Sequence, residues 1–507
     1  MHIRILGAVC LMFCSSSVIA QSVFLSQPTG AAPTGWSSFA IMNRGDTVPL
    51  LGGTSGQNFS WTSSHALFDG LGAYRLDSDT IRVYVNHEVA AGGVSRVDLS
   101  VPLLDSWISS RVASNTNTNQ TARPAGLVQG VGQGWTAVGV GSASPPLNRP
   151  CSGNFWEANT FGSGRGFSNS LYFTGEESGN GHFWAIDSAT NTIYQAPSVG
   201  GAGSWENATL IDTGRNDTVA LLLGEDRGTS ATGTAALSLY VGQKNPNGNF
   251  LERNGLVGGK TYVWDAIGAN TNGTLQAGGI FANNNDAVAG TWTTNTSNAV
   301  LFSKAEDVHT NMQSSSAGFG REAILASQDQ ALFHVDLKNL SFIEGDLAAN
   351  QSSTVRVLLE QGTSPNPGGI FGSFAGFDNL VWSPDGNLYV NEDDGEGDVW
   401  RVRVSDLLSQ YQSGNLSPTL TNVTQLFDAN ALTLGISESS GIIDISDLLG
   451  YQAGGVFLVT GQGSAGDQMA MLVSSSITSV PEPSSLVLVG GILFWMFGKK
   501  FRHVRLK

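Results

Sequence analysis

The sequence predicts an all-β fold, a β-propeller with loop insertions and a few short helices, and three observations point to it. Short β-prone stretches recur along the chain with Gly, Asn and Asp between them. Charged residues make up only 13% and glycines number 64, a composition poor in long helices. The strands also recur as a pair, the first ending in acids or polar turn residues and the second in an Asp turn. Phe173, Glu176-Glu177 and Phe183-Trp184-Ala185-Ile186-Asp187 show the plan. Leu325, Gln328-Asp329 and Leu332-Phe333-His334-Val335-Asp336 repeat it, and Trp382, Leu388-Tyr389-Val390 and Val399-Trp400-Arg401-Val402 repeat it again. Loose antiparallel pairs at this spacing argue for a propeller. A β-sandwich with long loops is the alternative, and the repeats are too weak to count blades.

In chain order, Met1 to Arg4 is short and basic, Ile5 to Phe13 is apolar, and Cys14 to Ala20 is mostly small. That is the order of a signal peptide cut after Ala20, residues 1–20, with a buried first strand as the bland alternative. A body spanning 21–479 follows, without a linker that would divide it. Its expected strands include Ile81 to Val85, Ser170 to Thr174, His182 to Ile186, Thr218 to Leu223, Leu237 to Val241 and Thr261 to Trp264. Ala323 to Ala326, Ala331 to Val335, Leu388 to Val390, Asp398 to Val404 and Val456 to Thr460 continue the series. Leu103 to Ala113 and Val404 to Tyr411 read as helices. Polar stretches at Ala113 to Thr121 and Ala269 to Ser297 read as loops.

The last segment, 480–507, holds Pro481-Glu482-Pro483, an apolar run from Leu486 to Phe497 and a basic end from Lys499 to Lys507. The prolines force an apolar helix to begin after them, and the basic cluster stops translocation on the cytoplasmic side. This ordering resembles the PEP-CTERM sorting signal of Gram-negative bacteria. It implies removal by an exosortase-type processing protease and delivery to the cell envelope or the outside. A permanent anchor by a single transmembrane helix is the alternative and gives the same orientation.

The formal net charge is −16, and it becomes more negative when the two basic ends are set aside. Such a body does not grip nucleic acid through phosphates. Acidic exported domains hold divalent cations or simply stay soluble. Cys10 and Cys14 leave with the signal peptide, so Cys151 remains alone and no intramolecular disulfide is possible. A lone thiol in an oxidising compartment must be buried or bound.

Because charges are scarce, clustered acids stand out: Asn86-His87-Glu88, Glu176-Glu177, Trp205-Glu206-Asn207, Glu225-Asp226, Glu306-Asp307, Asp378-Asn379 and Glu392-Asp393-Asp394. Nearly all follow an apolar strand. Alternation along a strand lets each pair turn one carboxylate inward, and in a propeller the inner strand ends converge on one mouth. Carboxylates gathered there repel one another unless cations neutralise them, and such oxygen clusters suit calcium. A solvated turn is the ordinary reading of any one pair. No H-x-x-x-H pair, phosphate-binding Gly loop or Gly-x-Ser-x-Gly elbow is present.

These stretches resemble the PhoX-type alkaline phosphatase family. The matching pieces run in order from Phe68-Asp69-Gly70 and Asn86-His87-Glu88 through Arg149-Pro150-Cys151-Ser152-Gly153 to Thr174-Gly175-Glu176-Glu177. They continue through Ser204-Trp205-Glu206-Asn207-Ala208, Leu223-Gly224-Glu225-Asp226 and Leu239 to Lys244, and then Lys304-Ala305-Glu306-Asp307-Val308-His309 and Phe377-Asp378-Asn379-Leu380. The resemblance implies a propeller with iron and calcium at one mouth and hydrolysis of a phosphorylated small molecule. It implies that Cys151 supplies a thiolate to iron, with Glu206 and Glu306 as carboxylate ligands nearby. Glu88, Glu176 or Glu177, Asp226 and Asp378 would hold calcium. Active members tend to carry Arg where this chain has Lys304, and often Asp where it has Asn154. Lys keeps the charge but loses the bidentate fork. A non-catalytic, calcium-stabilised propeller acting beside exopolysaccharide is the second expectation.

Overall fold

The computed structural model describes residues 35–480, apart from 62–65, 115–122, 134–135, 139–146, 228–233, 268–274, 277–279, 282–285, 361–375, 394–396, 414–422, 428–435 and 464–466. Residues 1–34 and 481–507, with the expected signal peptide and most of the expected sorting tail, lie outside the described residues, as does Asp394. Among the described residues no helix is long and apolar enough to cross a membrane.

Six strands form an inner ring: Phe68–Arg75, Gly153–Trp156, Gly203–Ile211, Ala305–Thr310, Phe377–Trp382 and Ile436–Asp444. Each lies against the next, and the last returns to the first. An antiparallel ladder runs outward from each. In blade 1 it adds Thr80–His87, Gly93–Ser100 and Val128–Gly132. Blade 2 adds Leu171–Thr174, Trp184–Asp187 and Thr192–Gln195. Blade 3 adds Thr218–Glu225, Ser238–Gln243 and Lys260–Ala266, and blade 4 adds Glu322–Ser327, Ala331–Asp336 and Ser352–Glu360. Blade 5 adds Leu388–Glu392, Val399–Val402 and Val423–Phe427. Blade 6 adds Val456–Gly463, Gln468–Ser474 and, outermost, the N-terminal strand Trp36–Asn43. The fold is therefore an all-β propeller, and among the described residues the ring of inner strands counts six blades.

Blade faces pack on one another, so inner and second strands are buried on both sides and read as apolar runs rather than alternations. Every residue of Glu322–Ser327 and Leu388–Glu392 is buried. Between blades 4 and 5 the core gathers Ile324, Leu332, Leu380, Trp382, Val390 and Trp400. Trp400 is fully buried, and its truncation to Ala would cost about 3–5 kcal/mol. Where the ring is tightest only glycine fits. A Cβ on Gly70 would lie 2.5 Å from the Cys151 carbonyl oxygen, and one on Gly441 would lie 2.4 Å from that of Asp69.

Two expectations change. Within the stretch from Ala269 to Ser297, read as a loop, Ala287–Thr293 is a strand. It pairs with both Lys260–Ala266 and Ser352–Glu360 and joins blades 3 and 4 at their outer edges. Its β-branched and aromatic residues outweigh the Asn-rich surroundings. The strand expected to reach Val404 stops at Val402, and Val404 opens the helix Val404–Gln412. The other expected helix is Val101–Ser114.

Candidate metal centre

Antiparallel pairing brings the start of each inner strand and the end of its neighbouring second strand to the same mouth of the channel. Four inner strands begin on a common pattern: Phe68-Asp69-Gly70-Leu71, Trp205-Glu206-Asn207-Ala208, Ala305-Glu306-Asp307-Val308 and Phe377-Asp378-Asn379-Leu380. In all four the register shifts between the first and fourth residues of the pattern. A bulge re-aims side chains, and here it presents an acid in the second position on each strand. Blade 6 bulges likewise between Ser439 and Ile442, just after Glu438. Cys151 precedes the inner strand of blade 2. At or just past the ends of second strands stand Glu88, Asp226, Asp393 and Gln462, and in blade 2 Glu177 opens the short strand Glu177–Gly181, three residues past Thr174.

The third position of the pattern ties the blades together. Asn207 Nδ2 donates to Asp307 Oδ1, while the amide of Leu380 donates to Asp307 Oδ2 at 2.8 Å. Ser152 Oγ donates to Asn379 Oδ1 at 2.8 Å, and Asn379 Nδ2 donates to Asp69 Oδ1 at 2.8 Å. Gln462 Nε2 then reaches Asp69 Oδ2 at 3.0 Å and Glu88 Oε2 at 3.1 Å. Asp307 thus has its oxygens filled by the frame, which marks it as a structural acid despite its place among the clusters.

The remaining acids are differently placed. Two sets bring ligand atoms within 4.8 Å of one another: Asp69, Glu88 and Cys151, and Cys151, Glu177 and Glu206. They share the sulfur. The Cys151 thiol donates to Asp69 Oδ2 at 3.2 Å. Glu206 is fully buried; its Oε1 accepts the Ser152 amide at 3.1 Å, and its Oε2 has no hydrogen-bond partner. Asp378 Oδ2 is likewise buried without a partner. Arg149 bridges Glu88 and Glu177, with Nη2 2.6 Å from Glu177 Oε2. The Lys304 ammonium lies 3.5 Å from Glu306 Oε1. Both cationic residues have φ above zero, 51° and 41°, so their backbones adopt a conformation most side chains avoid.

The electrostatics follow from this crowding. Burial pushes the Glu206 carboxyl well above the usual range, and Glu306, Glu177 and Asp69 push it further. Glu306 is raised by burial and by Asp226, Asp69 by burial and by Glu88, and Asp378 by burial and by Glu438. Glu438 itself is raised by burial and by Asp393. Glu177 is raised to about 8 by burial and by Glu88, against the pull of Arg149. Burial, Asp69 and Glu206 hold the Cys151 thiol well up, in its protonated form. Burial works to lower the Lys304 ammonium, but Glu306, Asp226, Asp393 and Asp329 outweigh it and raise it. Without cations, then, burial and mutual repulsion both disfavour the charged carboxylates. An unpartnered buried carboxylate oxygen costs about 1–3 kcal/mol, and a bound ion would remove that cost. Sulfur beside carboxylates is a donor set that iron accepts, and the oxygen donors of Asp226 and Asp378 are of the kind calcium accepts.

Of the residues singled out in the sequence, Cys151, Glu206, Glu306, Lys304, Glu88, Glu177, Asp226 and Asp378 share this mouth. Glu176 does not contribute its carboxylate: the Asn148 amide donates to its Oε1 at 2.8 Å and the His182 amide to its Oε2 at 3.1 Å. Of the pair, Glu177 is the one that lies in a set with the Cys151 sulfur. His87 is a packing residue, buried between Trp61 and Phe68 with Nε2 2.6 Å from Ser95 Oγ. His309 lies at the far end of its inner strand. Sequence reasoning passed over Glu438 and Gln462, and named Asp393 among the acid clusters and Asp69 within a motif without giving either a role. Asp69 could have been found from the pattern it shares with the other three acids.

No family model matches the chain, and no curated protein matches it. Among solved structures, a propeller titled Dos1 is 12% identical with a TM-score of 0.31, over 89% of this chain and 96% of that one. An α-L-arabinofuranosidase from Podospora anserina is 10% identical at 0.29, over 88% and 98%. The catalytic domain of a Coprinopsis cinerea α-L-arabinofuranosidase is 10% identical at 0.31, over 89% and 100%. Likeness at these scores bears on neither substrate nor site, and the propeller assignment rests on the closed ring of inner strands.

Proposed function

We propose that the protein is an exported, metal-dependent phosphomonoesterase whose iron and calcium ions are held at the acidic mouth. The observation that carries this reading is the unpartnered, fully buried Glu206 Oε2 in the same cluster as the Cys151 sulfur. A solvated turn cannot explain a carboxylate sealed from water, and a structural acid would have its oxygens filled, as Asp307 has. Cys151, Glu206 and Glu306 would hold iron; Glu88, Glu177, Asp226 and Asp378 would hold calcium. Bound there, such ions supply Lewis-acid polarisation of a phosphoryl oxygen and acidify water. The chain's own part is to bury the ligands, exclude water and set Lys304 beside Glu306 to meet a phosphate oxygen as a point charge. The basic, apolar and small run of residues 1–20 and the Pro-Glu-Pro tail support export and handling by an exosortase-type protease.

One observation favours a second reading, a calcium-stabilised propeller without turnover that acts beside exopolysaccharide. The Lys304 ammonium already pairs with Glu306 and lacks the fork that binds two phosphate oxygens at once. The experiment is metal analysis of protein purified without chelator, with hydrolysis of a generic aryl phosphate. The wild type turns over, Glu306→Gln abolishes turnover with the fold intact, and Lys304→Arg lowers KM about fivefold, the equivalent of about 1 kcal/mol for one added charge-assisted bond. Iron- and calcium-loaded wild type and Lys304→Arg that both fail to hydrolyse the ester would sink the phosphatase reading.

A further inference from the structure

One backbone position recurs at the acidic mouth. Two residues before Asp69, Cys151, Glu306 and Asp378 stand Leu67, Arg149, Lys304 and Gly376, all left-handed, with φ of 51°, 51°, 41° and 60°. The carbonyl of each accepts the amide of a residue just past the second strand of its blade: Glu88 at 3.0 Å, Glu177 at 2.9 Å, Gln328 at 3.0 Å and Asp393 at 2.7 Å. Glycine takes such a φ without strain, and blade 5 uses it. Blades 2 and 4 place cations there instead, in a conformation that most side chains avoid. Strain of this kind persists where the surroundings hold it, and it clusters at ligand sites. Here the same carbonyl bond holds the backbone in all four blades, and the side chain is what differs.

The two cations bracket the proposed iron ligands. Blades 2 and 4 flank blade 3, whose inner strand carries Glu206. Arg149 leads into Cys151, and the Lys304 ammonium lies 3.5 Å from Glu306 Oε1. The Arg149 backbone is pinned on both sides, since its amide also donates to the Val89 carbonyl at 3.1 Å, and Pro150 fixes the φ that follows. Its side chain is 43% exposed. Among the described residues its ion pairs run through Nη2 alone, to Glu88 and to Glu177, which leaves the Nη1 side of the fork without a carboxylate. A counter-ion for those two acids is the ordinary role of such an arginine. With Glu88 and Glu177 committed to calcium, as proposed above, the guanidinium no longer has them to itself, and its fork is available to an anion.

We propose that Arg149 and Lys304 form a two-cation clamp on the phosphoryl group of the substrate, with Arg149 supplying the bidentate fork that Lys304 lacks. The clamp rests on the phosphomonoesterase reading and extends it to the residue that grips the phosphate.

The test is calorimetric titration of protein purified without chelator with inorganic phosphate, alongside turnover of an aryl phosphate. Wild type binds phosphate. Arg149→Lys, which keeps the charge and loses the fork, binds it about fivefold more weakly, and Arg149→Met binds it on the order of thirtyfold more weakly. In turnover the same two variants raise KM by those factors and change kcat less. The clamp is overturned if wild type binds no phosphate, or if Arg149→Lys binds it as tightly as wild type, which would leave Arg149 a counter-ion of Glu88 and Glu177. Wild-type turnover decides the phosphatase reading separately. A protein that hydrolyses the ester with a KM indifferent to Arg149→Lys keeps that reading and loses the clamp. One that binds phosphate through Arg149 without turnover keeps the clamp and loses the reading. Should Arg149→Met fail to fold in a melt, Arg149→Lys, which retains a cation beside both acids, is the deciding variant.

Discussion

Glu206→Gln is the sharpest perturbation of the acidic mouth, because it removes charge while keeping shape. In metal-free protein the Glu206 carboxyl is fully buried, has one unpartnered oxygen, and is pushed up by burial and by Glu306, Glu177 and Asp69. An amide there carries no charge to neutralise and brings a donor to a neighbourhood of acceptors. Relief of one unmet buried polar atom is worth about 1–3 kcal/mol, so the chelated variant is expected to be more stable than chelated wild type by about that much. Metal reverses the order. An ion at a hundred times its Kd stabilises the wild type by about 2.7 kcal/mol, and the amide, a poor ligand, forfeits most of it. One kcal/mol moves Tm by about 2–4 °C in a domain of 150–250 residues, and by about half that in a chain this long. Calorimetric melts should therefore cross: the variant melts a few degrees above wild type with chelator and below it with metal. A variant less stable than wild type in both states would refute the reasoning, since it would mean that Glu206 is an ordinary structural carboxylate.

Three further outcomes are expected. Glu177, raised to about 8 in the folded protein, keeps a proton that it would lose on unfolding above its ordinary value of 4.5. Its contribution, and that of Asp69, Glu306, Asp378 and Glu438, therefore destabilises increasingly as pH climbs from that value toward 8. Chelated protein should melt higher at about pH 5 than at about pH 8, and a midpoint that rises with pH would contradict this. Cys151 is buried with its thiol pushed up, so it should label slowly at neutral pH even after metal removal and quickly only on unfolding; rapid labelling of the folded, chelated protein would mean an open thiolate. Gly441→Ala would drive a Cβ to 2.4 Å from the Asp69 carbonyl oxygen. It should lower stability by about 1–3 kcal/mol and weaken calcium retention, read by melts and metal analysis.

Much of the site could be read from the sequence because its residues sit at strand ends, where short apolar runs stop and acids begin. Glu88, Glu177 and Asp226 have that signature, just after the apolar runs Ile81 to Val85, Leu171 to Phe173 and Val219 to Leu223; Glu206, Glu306 and Asp378 instead open strands and are found through the motifs around them. What escaped was the part that depends on closing the ring. Glu438 lies in a serine-rich stretch that reads as a turn, and Gln462 is an unremarkable amide until Val456–Gly463 brings it to Asp69 and Glu88. The bulged pattern at Asp69, Glu206, Glu306 and Asp378 is four residues long and recurs at unequal intervals, so insertions mask its period. The blade plan was legible for the same physical reason as the acids. Second and third strands such as Thr218–Glu225 and Ala331–Asp336 are buried on both faces and stand out as apolar. The inner strands do not, because glycines and polar residues are what the crowded axis tolerates.

The outermost strand of blade 6, Trp36–Asn43, pairs with Gln468–Ser474, so the first described strand of the chain is fastened by the last. Closing so long a loop costs only slightly more entropy than closing one half its length, but it cannot happen until both ends are available. The Asp69–Gln462 and Glu88–Gln462 bonds belong to the same closure. The mouth, too, is therefore complete only when the ring is closed. If it holds calcium as proposed, the ion would act as a latch on the closed circle, since opening the ring would mean losing it.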